Sequence, residues 1–211
     1  TVSLNAQPFI RNLVSAYEST GDDKYPETAA RLLRSWYGLC PVPNHWHRQG
    51  PWRTLEVGNR QCNMWPAAMA VLGEHDAFDE DLHAMLARSR LDHIRYALSF
   101  CGGANNWYQV EASGMAGAAL FSPELRQSEA ARRVAMRRLK WINSFAYYDD
   151  GFQFELTHGY HVFPSSSLFA VVQTAKARGV NLPDDFTSLV ERAHEMYLFS
   201  AQPDHLLPTF N

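Results

Sequence analysis

The sequence predicts an all-α protein, and three observations lead to that prediction. Apolar residues recur at intervals of three and four along nearly every segment, which is the spacing of one helix face. The breaks between these segments are mostly short, so consecutive helices are expected to pack as antiparallel hairpins. No fixed-length repeat is visible. A curved array of helical hairpins, in one domain over residues 1–211, fits these observations best.

About eight helices are predicted, and several carry signals of how they start or pack. Pro66 should kink or interrupt the third helix. Asp79 is an N-cap for the fourth. Small residues predict that the fifth helix packs closely against a neighbour, namely Gly114, Ala116, Gly117, Ala118 and Ala119. The approximate ranges are 5–19, 26–38, 53–75, 79–100, 105–121, 122–146 and 157–178, with a last helix ending near 200.

The composition argues against several classes of protein. A formal net charge of -3 gives no general reason to expect a nucleic-acid or membrane partner. No apolar run approaches the roughly 18 residues of a membrane span. The 3 cysteines are widely spaced, so no disulfide framework or cysteine metal site is indicated, and we expect neither metal nor cofactor. The 6 Trp, 9 Tyr and 12 Phe predict a large aromatic core, or in part a sugar-binding cleft.

The stretch GGANNWYQV (102–110) places polar groups at the start of the fifth helix. Asn106 and Gln109 are three residues apart and share a helix face. Asn106 falls in the first turn, where unpaired N–H groups and the helix dipole favour a carboxylate ligand. A role as N-cap explains Asn105. It does not explain a second asparagine at position 106.

The stretch DDGFQFELTHGYH (149–161) opens with a turn signal and continues with Glu155, Tyr160 and His161. His158 and His161 are at a spacing that could bind a metal, but two imidazoles are weak evidence for one. These groups must be hydrogen-bonded if they are buried. The stretch is therefore a candidate site rather than core.

The third helix contains Glu56 and Arg60 at a spacing of four residues. A local ion pair worth a few tenths of a kcal/mol explains them. An arginine aimed into a cleft for an acidic sugar is the alternative.

Three segments, in this order, resemble the heparinase II/III-type polysaccharide lyases, a group that includes related alginate lyases. They are WRTLEVGNR (52–60), NNW (105–107) and DDGFQFELTHGYH (149–161), and Tyr160 follows Asn106 by 54 residues. The resemblance implies part of an (α/α) toroid whose inner helices line a groove. It also implies a β-sandwich domain that is absent from this chain. As a piece of a longer lyase, the chain is expected to expose apolar surface and to self-associate through it.

The resemblance also implies the chemistry, which is β-elimination on a uronic acid within an acidic polysaccharide. Asn106 matches the residue that binds and neutralises the carboxylate on C5. Tyr160 matches the catalytic tyrosine, which protonates the leaving O4 oxygen and in some substrates also removes the C5 proton. A periplasmic or secreted location is implied as well. The further substrate-binding residues expected are Asn105, Gln109, Arg60, His161 and Glu155.

One departure from the family pattern affects the choice of base. Many relatives carry a histidine where this chain has Asn106, so the task shifts to Tyr160 or to another residue. A free tyrosine has a pKa of about 10, so about one in a thousand is ionised at neutral pH. Arg60, or protonated His158 or His161, could lower that pKa.

Two other classes of function remain open at this stage. A glycoside hydrolase on a similar helical toroid would use Asp149, Asp150 and Glu155 as its carboxylates. A non-catalytic helical binding or scaffold module would instead pack Tyr160 away from any groove.

Overall fold

The structure is a computed structural model that describes residues 2–47 and 49–208, and it confirms the all-α prediction for them. This part of the chain forms ten α-helices and one π-helical turn, and its only β-type pairings are two isolated bridges. The helices are α1 (Val2–Ala6), α2 (Phe9–Thr20), α3 (Lys24–Leu39), α4 (Thr54–Asn59), α5 (Trp65–Leu72), α6 (Glu80–Ser99), α7 (Asn106–Phe121), α8 (Ser128–Ala146), α9 (His158–Ala177) and α10 (Asp184–Ser200). The π turn (Arg60–Met64) lies between α4 and α5.

Two of the eight predicted helices are each divided in two. Gln7 has a φ of 59° and separates α1 from α2, and it precedes a proline, which disfavours helical geometry in the residue before it. Pro66 has no N–H to donate to the carbonyl four residues back. The chain widens just before it into the π turn, where the Trp65 N–H bonds the Arg60 carbonyl. Pro66 therefore interrupts the third predicted helix, as expected.

The predicted start of the sixth helix at Ser122 is wrong, because α8 begins at Ser128. Ser122 ends α7 instead, and its N–H bonds the Ala118 carbonyl at 3.1 Å. Its hydroxyl accepts a hydrogen bond from the buried Arg90 at 2.8 Å. Its carbonyl accepts one from the Ser128 hydroxyl at 2.5 Å. These groups are engaged at the end of α7, so Ser122 cannot cap a new helix.

Helix α7 is the centre of the fold, and most of its residues are buried. It packs against α4, the π turn, α6, α8 and α9. Gly114 and Gly58 allow the contact with α4, because a Cβ added to Gly114 would lie 2.5 Å from Gly58 Cα. A Cβ added to Gly58 would lie 2.6 Å from the Val110 carbonyl oxygen. The predicted close packing of this helix is confirmed.

The core consists of two main apolar clusters. One joins α7 to α8, α9 and α10, and the other joins α2, α3, α5 and α6. Within the described ranges, no helix is both long and apolar enough to cross a membrane. At the end of α10, Leu198 and Phe199 are 78% and 80% exposed. Apolar surface is thus present there, and self-association through it stays a prediction.

Candidate functional site

The two asparagines at the start of α7 have different surroundings. Asn105 precedes the helix in an extended conformation, and its Oδ1 accepts a hydrogen bond from the Trp107 N–H at 3.1 Å. This bond satisfies one of the unpaired N–H groups of the helix start. Asn105 is therefore an N-cap, and a contact between it and substrate stays a prediction.

Asn106 is the first residue of α7, and only 4% of its surface is exposed. Its backbone N–H donates to Glu155 Oε1 at 3.2 Å, and its side-chain Nδ2 donates to Glu155 Oε2 at 2.6 Å. Asn106 Oδ1 is buried and has no hydrogen-bond partner among the residues that the structure describes. Buried amide oxygens are normally satisfied, so this atom has capacity to accept a hydrogen bond from a ligand.

The segment 147–157 connects α8 to α9 and carries Glu155 to the start of α7. Tyr147 and Gln153 form an isolated antiparallel bridge across its turn. The Glu155 N–H donates to Gln153 Oε1 at 2.7 Å, and Gln153 is fully buried. These contacts orient the Glu155 carboxylate towards Asn106.

Tyr160 lies in the first turn of α9, where Thr157 caps the helix by accepting the Tyr160 N–H at 3.2 Å. Tyr160 is 48% exposed. Helices α7 and α9 pack together, and Glu155 lies a few residues before Tyr160 in the chain. The structure thus places Asn106 and Tyr160 at neighbouring helix starts, joined through Glu155. That both face one groove stays a prediction.

A groove of about 510 Å³ lies along the start of α9 and includes the two residues that precede Tyr160. Its lining residues are Arg11, Asn59, Asn63, Met64, His158, Gly159, Val162, Phe163, Ser166, Leu207 and Pro208. Asn59 and Asn63 come from the π turn and the residue before it. Turns of this kind are frequent at functional sites. Sequence reasoning did not single out these two asparagines, although Pro66 marked the local break in the helix.

The structure places Gln109 behind Asn106 rather than at the surface. Gln109 is fully buried, and its Nε2 donates to Asn143 Oδ1 at 2.8 Å. Gln109 lies on the same face of α7 as Asn106, and beyond the first turn of the helix this face packs against α8. The prediction of Gln109 as a substrate-binding residue is corrected accordingly. Its hydrogen bond helps to hold α7 against α8.

His161 is also buried, and its ring stacks on Phe152 with centroids 4.9 Å apart. Its Nδ1 accepts the Gln153 N–H at 3.2 Å, and its Nε2 donates to the Ala193 carbonyl at 2.8 Å. This pattern requires a neutral imidazole, and burial lowers the pKa of His161. The predictions of His161 as a substrate ligand and as a cation near Tyr160 are corrected. It ties the segment 147–157 to α10.

Arg60 lies in the core, although sequence analysis placed it at a groove. Its Nε donates to His93 Nε2 at 3.0 Å, and its Nη1 donates to the carbonyls of Asn5 and Pro51, each at 2.8 Å. Its guanidinium carbon is 4.3 Å from the Trp36 ring centroid. Burial lowers the pKa of Arg60 to about 9. The substrate-binding prediction for Arg60 is wrong, because no part of it is exposed.

The structure also corrects the expected pairing of Glu56 with Arg60. The buried Glu56 carboxylate pairs with the Arg53 guanidinium instead. The Arg53 guanidinium carbon lies 4.6 Å from the centroid of the Trp107 ring, and Trp107 is 36% exposed next to Asn106. No local pattern joins residues 53 and 107, so the sequence did not reveal this cation–π contact.

Two of the three carboxylates of the hydrolase alternative, those of Asp150 and Glu155, are hydrogen-bonded within the protein. Asp150 Oδ1 accepts the Phe152 N–H at 2.9 Å in the turn, and both Glu155 oxygens accept from Asn106. Across residues 2–47 and 49–208, no group of three or more His, Cys, Asp and Glu side chains is arranged to hold a metal ion. The site is thus a set of amide, phenol and carboxylate groups.

Comparison with known proteins defines the class to which this helical fold and site belong. The family model described as Heparinase II/III N-terminus matches residues 2–211. The chain therefore belongs to the heparinase II/III N-terminus family.

The sequence is similar to two curated heparin-sulfate lyases. That of Bacteroides stercoris is 23% identical over 215 residues, which are 93% of this chain and 32% of that protein. That of Pedobacter heparinus is 25% identical over 199 residues, which are 92% of this chain and 30% of that protein. The chain thus spans about a third of the length of these relatives.

The fold is similar to that of two solved structures. The crystal structure of Heparinase III matches with a TM-score of 0.80 at 20% identity, over 99% of this chain and 33% of that one. Heparan sulfate lyase HepC from Pedobacter heparinus matches with a TM-score of 0.75 at 23% identity, over 99% of this chain and 33% of that one. The predicted all-α class, and its relation to the helical part of these proteins, are confirmed.

Proposed function

We propose that the full-length protein is a polysaccharide lyase that cleaves a uronic-acid-containing polysaccharide by β-elimination. One observation carries the proposal. Asn106 and the half-exposed Tyr160 lie at the starts of two packed helices, Glu155 just before Tyr160 bonds Asn106, and no described residue bonds the buried Asn106 Oδ1. The names of the relatives support a polysaccharide substrate. A periplasmic or secreted location follows from the proposal, because an intact polymer does not enter the cytoplasm.

In the proposed reaction, Asn106 binds the carboxyl group on C5 of the uronate. Its Oδ1 accepts a hydrogen bond from the O–H of a neutral carboxyl group, and the second hydrogen of Nδ2 is available to donate to the other carboxyl oxygen. The Glu155 carboxylate, held next to the same amide, disfavours a second negative charge there. The uronate is thus favoured in its protonated form. This neutral form makes the C5 proton easier to remove and stabilises the charge that develops.

Tyr160 is the proposed proton carrier. Its phenolate takes the proton from C5, the C4–O4 bond breaks as the C4–C5 double bond forms, and the phenol returns the proton to the departing O4. The protons balance, and Tyr160 ends as a phenolate. Its half-exposed ring at the start of α9 is accessible to a substrate. Proton transfer by a positioned side chain of this kind contributes about 100- to 10,000-fold to a rate.

The experiment that tests the proposal is an assay of the full-length protein on a panel of uronate polysaccharides. A lyase leaves an unsaturated uronate that absorbs in the ultraviolet, whereas a hydrolase produces new reducing ends without that absorbance. We expect absorbance and reducing ends to rise together. Reducing ends without absorbance would establish hydrolysis, and the absence of both would favour a binding or scaffold module.

A further inference from the structure

A second groove, of about 390 Å³, lies between α8 and α10, on a part of the surface that the proposed reaction does not use. Helix α8 packs on α7, and α10 packs on α9, so the groove runs where these two pairs of helices meet. Its lining includes Met136, Arg137, Lys140, Asp185, Leu189 and Arg192. Its volume is within the usual range of small-molecule sites, about 300–1,000 Å³.

The floor of the groove is apolar and firmly packed. Phe186 and Leu189 are only 6% and 8% exposed, and Phe186 belongs to the core around α7. Met136 on α8 is partly buried and packs against the same core. The floor therefore offers a fixed apolar surface that does not have to form when a ligand binds.

The rim of the groove is basic. Arg137 and Arg192 are exposed, and in the described part of the chain neither has a carboxylate partner. Lys140 pairs with Asp185 at 3.7 Å, and both side chains are mostly exposed, so the pair is weak. A neighbouring groove that shares Arg137 is lined by Arg132 and Arg133, which both pair with the exposed Glu129. The unpaired positive charge of the rim is therefore that of Arg137 and Arg192.

We propose that this groove binds a segment of anionic polysaccharide, as a second site apart from Asn106 and Tyr160. A sugar ring presents an apolar face of C–H groups, which matches the floor, and its carboxylate or sulfate groups match the guanidinium groups of the rim. The choice of a saccharide rests on the proposed function, because the polymer to be cleaved carries anionic groups along its length.

The two sites are separated by the contact between α7 and α8. Asn143 lies in the groove and accepts a hydrogen bond from the buried Gln109, which is one turn along α7 from Asn106. A ring bound in the groove is therefore not the ring being cleaved. The groove holds a distant part of the same polymer and raises the effective concentration of the chain near Asn106. Long substrates then gain affinity that short oligosaccharides lack.

The test compares two triple variants of the full-length protein in a Tyr160→Phe background, which limits turnover during binding. The groove variant carries Arg137→Ser, Lys140→Ser and Arg192→Ser. The control carries Arg31→Ser, Arg126→Ser and Lys176→Ser, which remove the same charge outside the groove. The probes are a long heparan sulfate chain, a short heparan sulfate oligosaccharide and a poly-glutamate peptide, each titrated by calorimetry. Unchanged thermal unfolding checks that both variants are folded.

We expect the groove variant to bind the long chain at least tenfold more weakly, while the control changes less than about twofold and the short oligosaccharide shows little difference. Equal weakening in both variants would assign the effect to net charge and overturn the proposal. The proposal would also be overturned if the groove variant bound the long chain with unchanged affinity, or if the poly-glutamate peptide bound the groove as tightly as the long chain. The readout is binding, so a protein that cleaves no uronate polymer would refute the lyase proposal and leave this result intact.

Discussion

Glu155 accepts two hydrogen bonds from Asn106, one from the backbone N–H at 3.2 Å and one from the side-chain Nδ2 at 2.6 Å. The paired contact fixes both the start of α7 and the orientation of the Asn106 amide. It leaves Asn106 Oδ1 without a partner among the described residues, so the amide is held ready for a ligand. Glu155 is thus better explained as a residue that positions Asn106 than as a direct substrate ligand.

The Glu155→Gln variant tests this positioning role. We expect kcat/KM on a uronate polymer to fall about 10- to 100-fold, because a neutral amide holds Asn106 less firmly and no longer disfavours a charged uronate. In an Asn106→Ala background the same change should have little further effect, as measured by a double-mutant cycle. Additive losses in the cycle would show that Glu155 acts independently of Asn106. Glu129→Gln, on an exposed ion pair, is the control.

The Asn106→Ala variant removes the proposed carboxyl-binding group. The loss should be about 3–4 kcal/mol in transition-state stabilisation if the contact acts like an oxyanion-hole donor. KM should rise and kcat should fall, because the amide contacts the carboxyl group in both the ground state and the transition state. Steady-state kinetics measures both constants, with the exposed Asn12→Ala as control. A change in KM with an unchanged kcat would show that Asn106 binds substrate without stabilising the transition state further.

The Gly114→Ala variant tests the close contact of α7 with α4. Its new methyl group would meet backbone atoms of Gly58, which cannot move aside without shifting a helix. We expect the free energy of unfolding to fall by about 1–3 kcal/mol or more. Gly38→Ala is the matched control, because no atom of the described residues lies within 4 Å of its added Cβ and it belongs to a helix, where alanine is favoured. Chemical denaturation should show a lower free energy of unfolding for Gly114→Ala and no decrease for Gly38→Ala.

The buried His161 should make stability depend on pH. Burial lowers its pKa in the folded state, while the unfolded side chain titrates near about 6.5. The unfolded state therefore binds more protons as the pH falls below about 6.5, and stability is lost in that direction. His161→Gln should reduce this loss by up to about 1.4 kcal/mol per pH unit relative to the unmodified protein. Denaturant titrations at pH 7.5 and 5.5 measure the free energy of unfolding of both proteins. An equal loss of stability between these pH values in the two proteins would contradict the assignment of His161 as neutral and buried.

Much of the fold was predictable because its helices carry local signals. Asp79 caps α6 by accepting the Leu82 N–H at 2.8 Å, and Asn105 caps α7, both as expected. Pro66 marked the interruption of the third predicted helix. The prediction from Ser122 was wrong. A Ser-Pro pattern often opens a helix, but in this chain it follows the end of α7, and only tertiary contacts distinguish the two cases.

The candidate site was less predictable, because its partners are far apart in the sequence. The motifs named Asn106, Tyr160 and Glu155, but not the hydrogen bonds that join Glu155 to Asn106. Arg60 and His161 resembled exposed polar ligands, and burial was visible only once the Trp36 ring and the Ala193 carbonyl were placed beside them. Helical spacing shows which residues share a face, not whether that face meets solvent or another helix.

The proposed β-elimination is tested most directly by the turnover of Tyr160→Phe in the full-length protein, followed by the ultraviolet absorbance of the unsaturated uronate. Tyr160 is half-exposed, so removal of its hydroxyl should barely change stability. We expect kcat to fall by about 100- to 10,000-fold with little change in KM, because the proton carrier is lost and the binding residues remain. Tyr148→Phe, at an exposed tyrosine of the segment 147–157 that precedes α9, should keep normal activity. Near-normal turnover of Tyr160→Phe on the best substrate would contradict the proposed mechanism.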